Sequence, residues 1–324
     1  MRMKLLVTGL DFLIPWCGDY IKSAEAVCTS DCSEENLSRM VADCDAILYM
    51  QAKSYPITRK IIDSAKKLRF IQSAGVGYEK IDLVAAMENG VVVMNMPTGT
   101  TVSVAEHAIA LILACAKNLL KGHQNIREGG WRVWDFGLEL DGKTLGIVGF
   151  GKIGQETAKR MKAFNMKLLV YDPLIHDDQI AHSGWKKADL PTLLKESDIV
   201  TLHCPLTKET RGLIGAKELA VMKQSSILVN TARGEVVDEK ALIEALKSGK
   251  LKCAGLDTFA IEPIESDSPL LRLENVILTP HMAVQTTDAI MRFMQANGEQ
   301  VENALNGTYA NVVNPEVLGK LACS

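Results

Sequence analysis

The feature that most constrains this chain of 324 residues is a repeated alternation of short, continuously apolar runs with longer helical stretches. Apolar runs that helices separate are typical of parallel strands covered on both faces. The first set of predicted strands is 4–8, 25–29, 46–50, 69–73 and 91–95. The second set is 144–149, 167–172, 199–204, 226–230, 253–257 and 276–279. Two such sets predict an α/β protein with two doubly wound parallel-sheet domains.

Two long helical stretches define how the domains connect. One is predicted at about 101–128, between the two sets, and the other at about 286–305, after the last strand. The roughly 40 residues beyond the second set are too few for a third domain, so we expect them to pack back onto the first unit. The predicted domains are therefore 1–100 with 284–324, and 101–283, with a cleft between them.

Composition excludes several classes of protein. A chain with 47% hydrophobic and 23% charged residues is an ordinary globular one, and a net charge of −3 provides no basic field for nucleic acid or for a membrane surface. The apolar stretch 108–116 is too short to span a bilayer, and the N-terminal run 5–7 reads as a strand rather than a signal peptide. None of the eight cysteines forms a CxxC pair. We therefore predict no metal site and a cytoplasmic location.

A glycine-rich loop follows the first strand of the second set. Gly149, Gly151 and Gly154 form a GxGxxG pattern between a strand and a predicted helix at 155–164. Gly149 would permit the tight turn, Gly151 a close approach of backbone to a pyrophosphate, and Gly154 close packing of helix on strand. The N–H groups of Lys152 and Ile153 would then face the phosphates at the positive end of the helix. This loop predicts a dinucleotide site.

Asp172 bears on which dinucleotide binds. It ends the next strand, 18 residues past Gly154, where a carboxylate accepts hydrogen bonds from the ribose hydroxyls of adenosine. The carboxylate would repel a 2′-phosphate, and Pro173 follows where an arginine would have favoured one. We therefore expect NAD rather than NADP.

Three charged side chains follow later strands of the same set. Arg233, Glu262 and His281 come just after the strands predicted at 226–230, 253–257 and 276–279. In an open parallel sheet the loops at the carboxyl ends of the strands line the ligand crevice, so these side chains can converge. Each has a structural alternative, as a surface charge, a turn residue or a structural histidine respectively.

The three residue types suit the reduction of a 2-oxo acid. Hydride addition to the carbonyl carbon leaves negative charge on its oxygen, which needs a proton donor, and histidine can supply the proton near neutral pH. A neighbouring carboxylate would favour the imidazolium form. Arginine offers a fork that matches the substrate carboxylate and stabilises the developing charge.

With these residues in place, the sequence resembles the D-isomer-specific 2-hydroxyacid dehydrogenase family over nearly its whole length. The motifs that carry the resemblance are SAGVGYEKID (73–82), VAEHAIALIL (104–113), DGKTLGIVGFGKIG (141–154), HCPLTKETRGLI (203–214), NTARGEVVDEKAL (230–242), AGLDTFAIEP (254–263), LTPHMA (278–283) and NVVNPEV (311–317). The resemblance implies a Rossmann NAD domain, a flavodoxin-like substrate domain and a homodimer, with the long helix after Pro97 at the interface.

The resemblance also implies roles for individual residues. Arg233 would bind the substrate, and Glu262 would orient and charge His281, the acid in reduction and the base in oxidation. Asp257 would hold the nicotinamide carboxamide. Other contacts with the cofactor would come from Cys204, Pro205, Thr231, Ala232 and Arg233. The backbone amides of the loop Ser73, Ala74, Gly75, Val76 and Gly77 would cradle the substrate carboxylate, where glycines provide a permissive backbone.

The substrate is less constrained than the reaction. Phosphoglycerate-type members carry an arginine where Ser73 stands, which favours an unphosphorylated acid of the hydroxypyruvate or glyoxylate type, although Lys53 or Arg132 offers a replacement cation. A 3-phosphoglycerate dehydrogenase of serine synthesis is the alternative, and we expect no regulatory domain after residue 324. A non-catalytic NAD-sensing corepressor is a remote alternative. Trp131, Trp134 and Phe136 would line either a pocket reached from the partner subunit or the dimer seam.

Overall fold

The structure, a computed structural model, describes residues 2–9, 19–50, 55–132, 134–176, 180 and 184–321. Residues 1–100 and 287–324 form one compact unit, and residues 101–286 form the other. Each unit is built on one parallel sheet, which confirms the predicted α/β class with two doubly wound domains. Lys53, one of the replacement cations considered above, lies outside the described residues.

The first unit contains a five-stranded sheet. Its strands are β1 (Met3–Thr8), β2 (Ala24–Thr29), β3 (Ala46–Tyr49), β4 (Phe70–Ser73) and β5 (Val92–Met94). Their order, β2-β1-β3-β4-β5, is the flavodoxin-like one, and every pair is parallel. The helices of this unit are Glu34–Val41, Arg59–Ser64, Leu83–Glu88, Thr287–Leu305 and Glu316–Leu321.

Burial on both faces explains why the strands of this sheet read as continuous apolar runs. Leu5 and Val7 of β1 pack in one core with Val301 of the C-terminal helix Thr287–Leu305. Leu6, between them in sequence, packs in the other core with Ile61 of the helix Arg59–Ser64. Successive side chains of a strand point to opposite faces, so both faces need apolar residues.

The second unit contains a seven-stranded sheet. Its strands are β6 (Thr144–Val148), β7 (Lys167–Tyr171), β8 (Lys186–Lys187), β9 (Ile199–Leu202), β10 (Ile227–Asn230), β11 (Cys253–Leu256) and β12 (Val276–Leu278). The strand order is β12-β11-β10-β9-β6-β7-β8. Successive strands are added outward on one side from β6 to β8 and on the other side from β9 to β12, as in a Rossmann sheet. The helices are Thr101–Ala116, Leu119–Arg127, Lys152–Met161, Leu190–Glu196, Ala216–Val221 and Glu239–Lys247.

The structure corrects two predicted helices and adds one strand. The helix predicted at 101–128 is two helices, Thr101–Ala116 and Leu119–Arg127, bent by 62° where Asn118 adopts a left-handed backbone with φ 50°. The helix after the glycine loop begins at Lys152, three residues earlier than predicted, and ends at Met161. The strand β8 was not predicted, because it is two exposed lysines without an apolar signature.

Across the described chain, no single helix combines the length and apolarity needed to cross a membrane. The two helices Thr101–Ala116 and Leu119–Arg127 reach that length and apolarity only when they are taken together, and they are bent by 62°.

Candidate active site

The loops at the carboxyl end of the second sheet carry most of the predicted site residues. Gly149 follows β6, Asp172 follows β7, and Cys204 lies two residues beyond β9. Arg233, Asp257 with Glu262, and His281 follow β10, β11 and β12 respectively. Because all seven strands are parallel, these loops lie along one edge of the sheet.

The glycine loop after β6 is packed as its sequence predicts. Gly149 has φ 88°, and a Cβ there would lie 2.4 Å from the backbone nitrogen of Cys204. A Cβ on Gly154 would lie 2.3 Å from the carbonyl oxygen of Gly149, so the helix lies directly against the turn. A Cβ on Gly151 would meet no atom within 4 Å. Gly149 and Gly154 are thus required by packing, whereas Gly151 borders open space where a ligand can approach.

Asp172 shapes the same loop. Its carboxylate accepts hydrogen bonds from the backbone nitrogens of Phe150, at 2.7 Å, and Leu174, at 2.9 Å. The carboxylate is therefore held beside the turn of the glycine loop, with acceptor sites remaining. Its predicted contact with ribose hydroxyls fits this position and stays a prediction.

The loop that carries Arg233 is braced by Asn230, whose role the sequence did not reveal. The Asn230 side chain accepts from the backbone nitrogen of Ala232 at 3.0 Å and donates to the carbonyl of Arg233 at 2.9 Å. Asn230 is the last residue of β10 and is buried. Its two bonds fix the turn from which the arginine extends.

At Gly234 the backbone of the Arg233 loop packs directly against the backbone of the loop that carries Glu262. A Cβ at Gly234 would lie 1.9 Å from the carbonyl carbon of Phe259. No residue with a side chain fits there while the two backbones stay in contact. The positive charge of Arg233 is close enough to Glu262 to help lower the pKa of its carboxyl.

Glu262 and His281 form a direct pair. His281 Nδ1 lies 2.7 Å from Glu262 Oε2, while Glu262 Oε1 accepts from the backbone nitrogen of Phe259 at 3.0 Å. Partial burial acts to raise the pKa of Glu262, but the hydrogen bond and charge of His281, the Phe259 amide and Arg233 outweigh it, so the pKa is lowered overall. The carboxylate is therefore ionised, and the imidazole is oriented through Nδ1. Its other ring nitrogen, Nε2, has no hydrogen-bond partner among the described residues and is available to exchange a proton with a ligand.

Asp257 anchors the turn that carries His281. The backbone at His281 is left-handed, with φ 49°. The buried Asp257 carboxylate accepts from the backbone nitrogens of Met282 and Ala283, at 2.9 and 3.0 Å, and from Thr279 Oγ1 at 2.6 Å. His107 Nε2 lies 3.3 Å from the same carboxylate.

Burial acts to raise the pKa of Asp257, and these donors together lower it. The carboxylate thus stabilises an unusual backbone conformation at the histidine. The contact of Asp257 with a nicotinamide carboxamide remains a prediction. His107 lies in the motif at 104–113, and its sequence context did not indicate this contact.

Three buried polar atoms along the same edge lack partners in the described part of the chain. They are His203 Nδ1, just beyond β9, Thr231 Oγ1, just beyond β10, and Thr258 Oγ1, just beyond β11. Buried polar atoms of this kind are normally satisfied, and at this edge a polar ligand can supply the partners. Together with the glycine loop and Asp172, they fit a dinucleotide laid along the carboxyl ends of β6, β9, β10 and β11.

No grouping of three or more His, Cys, Asp or Glu side chains suited to a metal ion occurs among the described residues. Every cysteine that the structure describes is a free thiol, namely Cys28, Cys32, Cys44, Cys115, Cys204 and Cys253.

The predicted substrate loop, Ser73 to Gly77, belongs to the first unit and follows β4. Ser73 is fully buried, and its hydroxyl donates to the carbonyl of Gly77 at 2.6 Å. The expectation that Gly75 and Gly77 use a permissive backbone is wrong, since neither has a positive φ. A Cβ on Gly75 would meet nothing within 4 Å, so glycine there leaves open space instead.

Comparisons with known proteins match this architecture. Residues 109–283 match the family model for the NAD-binding domain of D-isomer-specific 2-hydroxyacid dehydrogenases. The chain is 44% identical to a D-3-phosphoglycerate dehydrogenase from Archaeoglobus fulgidus over 87% of its own length, but spans only 54% of that relative. It is 41% identical to a glyoxylate reductase from Korarchaeum cryptofilum, over 88% of this chain and 87% of the relative.

A solved structure gives the same result for the fold. The D-lactate dehydrogenase of Aquifex aeolicus, complexed with NAD and lactic acid, is 29% identical and superposes with a TM-score of 0.84. The match covers 98% of each chain.

Proposed function

Since the chain belongs to the D-isomer-specific 2-hydroxyacid dehydrogenase family, we propose that it transfers a hydride between NAD(H) and a small D-2-hydroxy acid or 2-oxo acid. An unphosphorylated acid of the hydroxypyruvate or glyoxylate type is the proposed substrate. The observation that carries the proposal is the His281–Glu262 pair, at 2.7 Å, on the sheet edge that also carries the glycine loop.

The chemistry follows from the residues of that edge. When bound, NADH supplies the hydride. His281, oriented by Glu262, protonates the carbonyl oxygen from Nε2 during reduction and takes the proton back during oxidation. Arg233, held by Asn230 and Gly234, binds the carboxylate and stabilises charge that develops on the oxygen.

Asp172 supports NAD as the cofactor. Its carboxylate is fixed beside the glycine loop by two backbone donors, where a 2′-phosphate would meet negative charge. Asp172→Ala should weaken NADH binding and raise the use of NADPH relative to NADH. Binding of both cofactors is measured by fluorescence titration, and an unchanged ratio of the two affinities would remove Asp172 from the argument.

Ser73 supports an unphosphorylated substrate. Its buried hydroxyl is bonded to Gly77 and brings no positive charge to the loop. The guanidinium of Arg132, the other cation considered, lies 5.7 Å from the centre of the Trp134 ring. The phosphoglycerate dehydrogenase alternative is supported by the Archaeoglobus relative.

Substrate preference is the first test. NADH consumption is followed with hydroxypyruvate, phosphohydroxypyruvate, glyoxylate, pyruvate and 2-oxoisocaproate at equal low concentration. The proposal expects the highest kcat/KM with an unphosphorylated acid. A preference for phosphohydroxypyruvate would favour the phosphoglycerate alternative, and no turnover with intact NADH binding would favour a sensor.

Two variants separate catalysis from cofactor binding. His281→Ala and Arg233→Ala should lose most turnover while NADH still binds, because the glycine loop is unchanged. Near-normal turnover in either variant would contradict the assigned roles.

A homodimer is the proposed assembly. Large apolar side chains of the second unit are exposed between residues 119 and 136, among them Leu119 (60%), Trp131 (81%), Trp134 (72%) and Phe136 (77%). Exposed apolar patches of this kind mark interfaces. Trp131→Glu combined with Trp134→Glu should give a monomer by light scattering, and an unchanged dimer would place the interface elsewhere.

A cytoplasmic location is also proposed. It is supported by the free thiols of the described cysteines.

A further inference from the structure

The loop Ser73–Gly77 has a consistent hydrogen-bonding pattern on its carbonyl side. All five of its carbonyl oxygens accept a bond from within the first unit. The donors, in order along the loop, are Gln72 Nε2 (2.8 Å), Asn297 Nδ2 (3.4 Å), the Met96 backbone nitrogen (2.8 Å), Asn95 Nδ2 (2.8 Å) and Ser73 Oγ (2.6 Å). About a tenth of backbone groups in proteins bond to ordered water instead of to protein, whereas here protein groups serve all five acceptors of the loop.

The N–H side of the loop is different. The backbone nitrogen of Ala74 donates to the carbonyl of Tyr49, at 2.9 Å. The nitrogens of Gly75, Val76 and Gly77 donate to no atom in the part of the chain that the structure describes. Val76 is 47% exposed, and the space beside Gly75 is open. Three successive N–H groups are therefore available to an anion.

Peptide planarity connects the two sides. In a trans peptide, the carbonyl of one residue and the N–H of the next share a plane and point in opposite directions. The carbonyls of Ala74, Gly75 and Val76 thus set the directions of the N–H groups of the three residues that follow. Whatever holds these carbonyls also aims the three free donors.

The carbonyl of Ala74 is held by Asn297, which belongs to a buried amide network, and that network also reaches the backbone carbonyl of Asn95, whose side chain holds Val76. Gln72 Nε2 donates to Asn297 Oδ1 at 3.1 Å, and Gln300 Nε2 donates to Gln72 Oε1 at 2.7 Å and to the Asn95 carbonyl at 3.0 Å. Gln72, Asn297 and Gln300 are at most 7% exposed. Each amide has donors and acceptors on both sides, so its orientation is fixed, and breaking one bond leaves a buried polar group unsatisfied.

We propose that Asn95 and Asn297 are positioning residues for the substrate carboxylate, because they hold the carbonyls of Val76 and Ala74 and so aim the N–H groups of Gly77 and Gly75. They act through the loop and do not touch the substrate themselves. The inference rests on the proposed function, since it names how a carboxylate of a 2-oxo acid is held.

Asn95→Asp and Asn297→Leu test the proposal. In Asn95→Asp a carboxylate oxygen replaces the donor and repels the Val76 carbonyl, and Asn297→Leu removes the donor to Ala74. Gln295→Ala is the matched control, since Gln295 is exposed on the same helix as Asn297 and bonds only to Glu299 within it. Each variant is assayed for KM and kcat with the preferred 2-oxo acid, for oxamate affinity and for NADH affinity.

We expect both variants to weaken substrate binding while cofactor binding stays unchanged. Both variants should raise KM and the Kd of oxamate by about tenfold, the loss of one ordered hydrogen bond. Their kcat and NADH affinity should stay within about threefold of the wild type, because the glycine loop and His281 belong to the other unit. The control should match the wild type throughout. A purely structural role would lower the melting temperature without this difference between substrate and cofactor binding.

Failure of the positioning role is distinguishable from failure of the proposed function. If the wild type turns over a 2-oxo acid and the variants keep its KM and oxamate affinity, the positioning role is overturned. If the wild type turns over none of the acids, the proposed function fails, and oxamate affinity alone then decides the positioning role. Should Asn297→Leu fail to fold, Asn95→Asp decides, because Asn95 lies at the partly exposed rim of the network.

Discussion

The Nδ1 atom of His281 and the Oε2 atom of Glu262 are 2.7 Å apart, and the other oxygen of Glu262 is held by the Phe259 amide. The carboxylate therefore has one orientation, and it presents negative charge to the imidazole. Glu262→Gln removes that charge and leaves one acceptor oxygen, which can serve either Nδ1–H or the Phe259 amide. We expect kcat for reduction to fall by about 10²-fold, the lower end of what a positioned acid contributes.

The pH profile of Glu262→Gln gives a second readout. The pKa of Glu262 is lowered, so its carboxylate loses its charge only at low pH, and the loss of reduction that this protonation causes on the acid side in the wild type should be absent from Glu262→Gln. Glu239→Gln is the matched control, because Glu239 also accepts from this loop, at the Ala260 backbone nitrogen, and is not hydrogen-bonded to His281. Equal profiles for both variants would show that the charge of Glu262 does not govern the histidine.

His107 should support His281 indirectly. Its Nε2 lies 3.0 Å from Thr279 Oγ1 and 3.3 Å from Asp257 Oδ1, and Asp257 in turn holds the amides that follow His281. In His107→Leu the buried carboxylate loses a donor, so we expect kcat to fall by about threefold to tenfold and the protein to lose about 1–3 kcal/mol of stability. His107→Gln places an amide nitrogen near the position of Nε2 and should restore most of both.

The control for His107 is its neighbour. Glu106→Gln changes an exposed residue of the same helix whose ion pair with Arg160 has N···O at 3.6 Å. Steady-state kinetics and urea unfolding should leave this variant near the wild type. If His107→Gln is as impaired as His107→Leu, hydrogen bonding is not what His107 contributes.

Two glycines of one loop should respond differently to alanine. Gly154→Ala puts a methyl group 2.3 Å from the Gly149 carbonyl oxygen, so the helix must shift and the melting temperature should drop by several degrees. Gly151→Ala meets no protein atom within 4 Å and has φ −66°, so the fold should be unaffected. Its methyl group would occupy the space proposed for the pyrophosphate, and the Kd of NADH should rise by about tenfold or more.

Calorimetry without NADH and fluorescence titration with NADH separate these two effects. A Gly151→Ala protein that binds NADH normally would mean that the phosphates do not pass over Gly151. A large loss of stability in Gly151→Ala would instead show that the open space is needed by the protein itself.

The strands could be predicted from sequence because each is a short run that is buried on both faces, as Leu5, Leu6 and Val7 show. The placement of Arg233, Glu262 and His281 at one edge of the sheet could be predicted for a related reason. Each follows a strand whose carboxyl end the parallel topology brings to one edge. In both cases a local pattern is coupled to a general rule of sheet geometry.

The features that sequence reasoning missed depend on long-range partners or on single backbone angles. Asn297 bonds to Gln72, 225 residues earlier, and nothing near either residue announces the contact. The break at Asn118 rests on one left-handed residue inside an otherwise helical pattern. The strand β8 has no apolar run, since it is an edge pairing through its backbone alone.

His203 should make the stability of the cofactor-free protein depend on pH. Its Nδ1 is buried without a partner among the described residues, and its Nε2 is 3.0 Å from Thr201 Oγ1, so burial lowers the pKa of the ring to about 3 from its ordinary 6.5. Between these values the unfolded chain binds a proton that the folded chain does not. The free energy of unfolding should therefore fall as the pH falls through this window, by at most about 1.4 kcal/mol per pH unit from this group.

His203→Gln isolates that contribution. Glutamine does not titrate and can keep the bond to Thr201, so between about pH 6 and pH 4 the variant should lose about 2 kcal/mol less stability than the wild type. Urea unfolding across this range, without NADH, measures both proteins, and carboxylates that titrate there contribute equally to each. Two parallel curves would mean that the His203 ring is protonated in the folded protein, and that its nitrogens are reached by water.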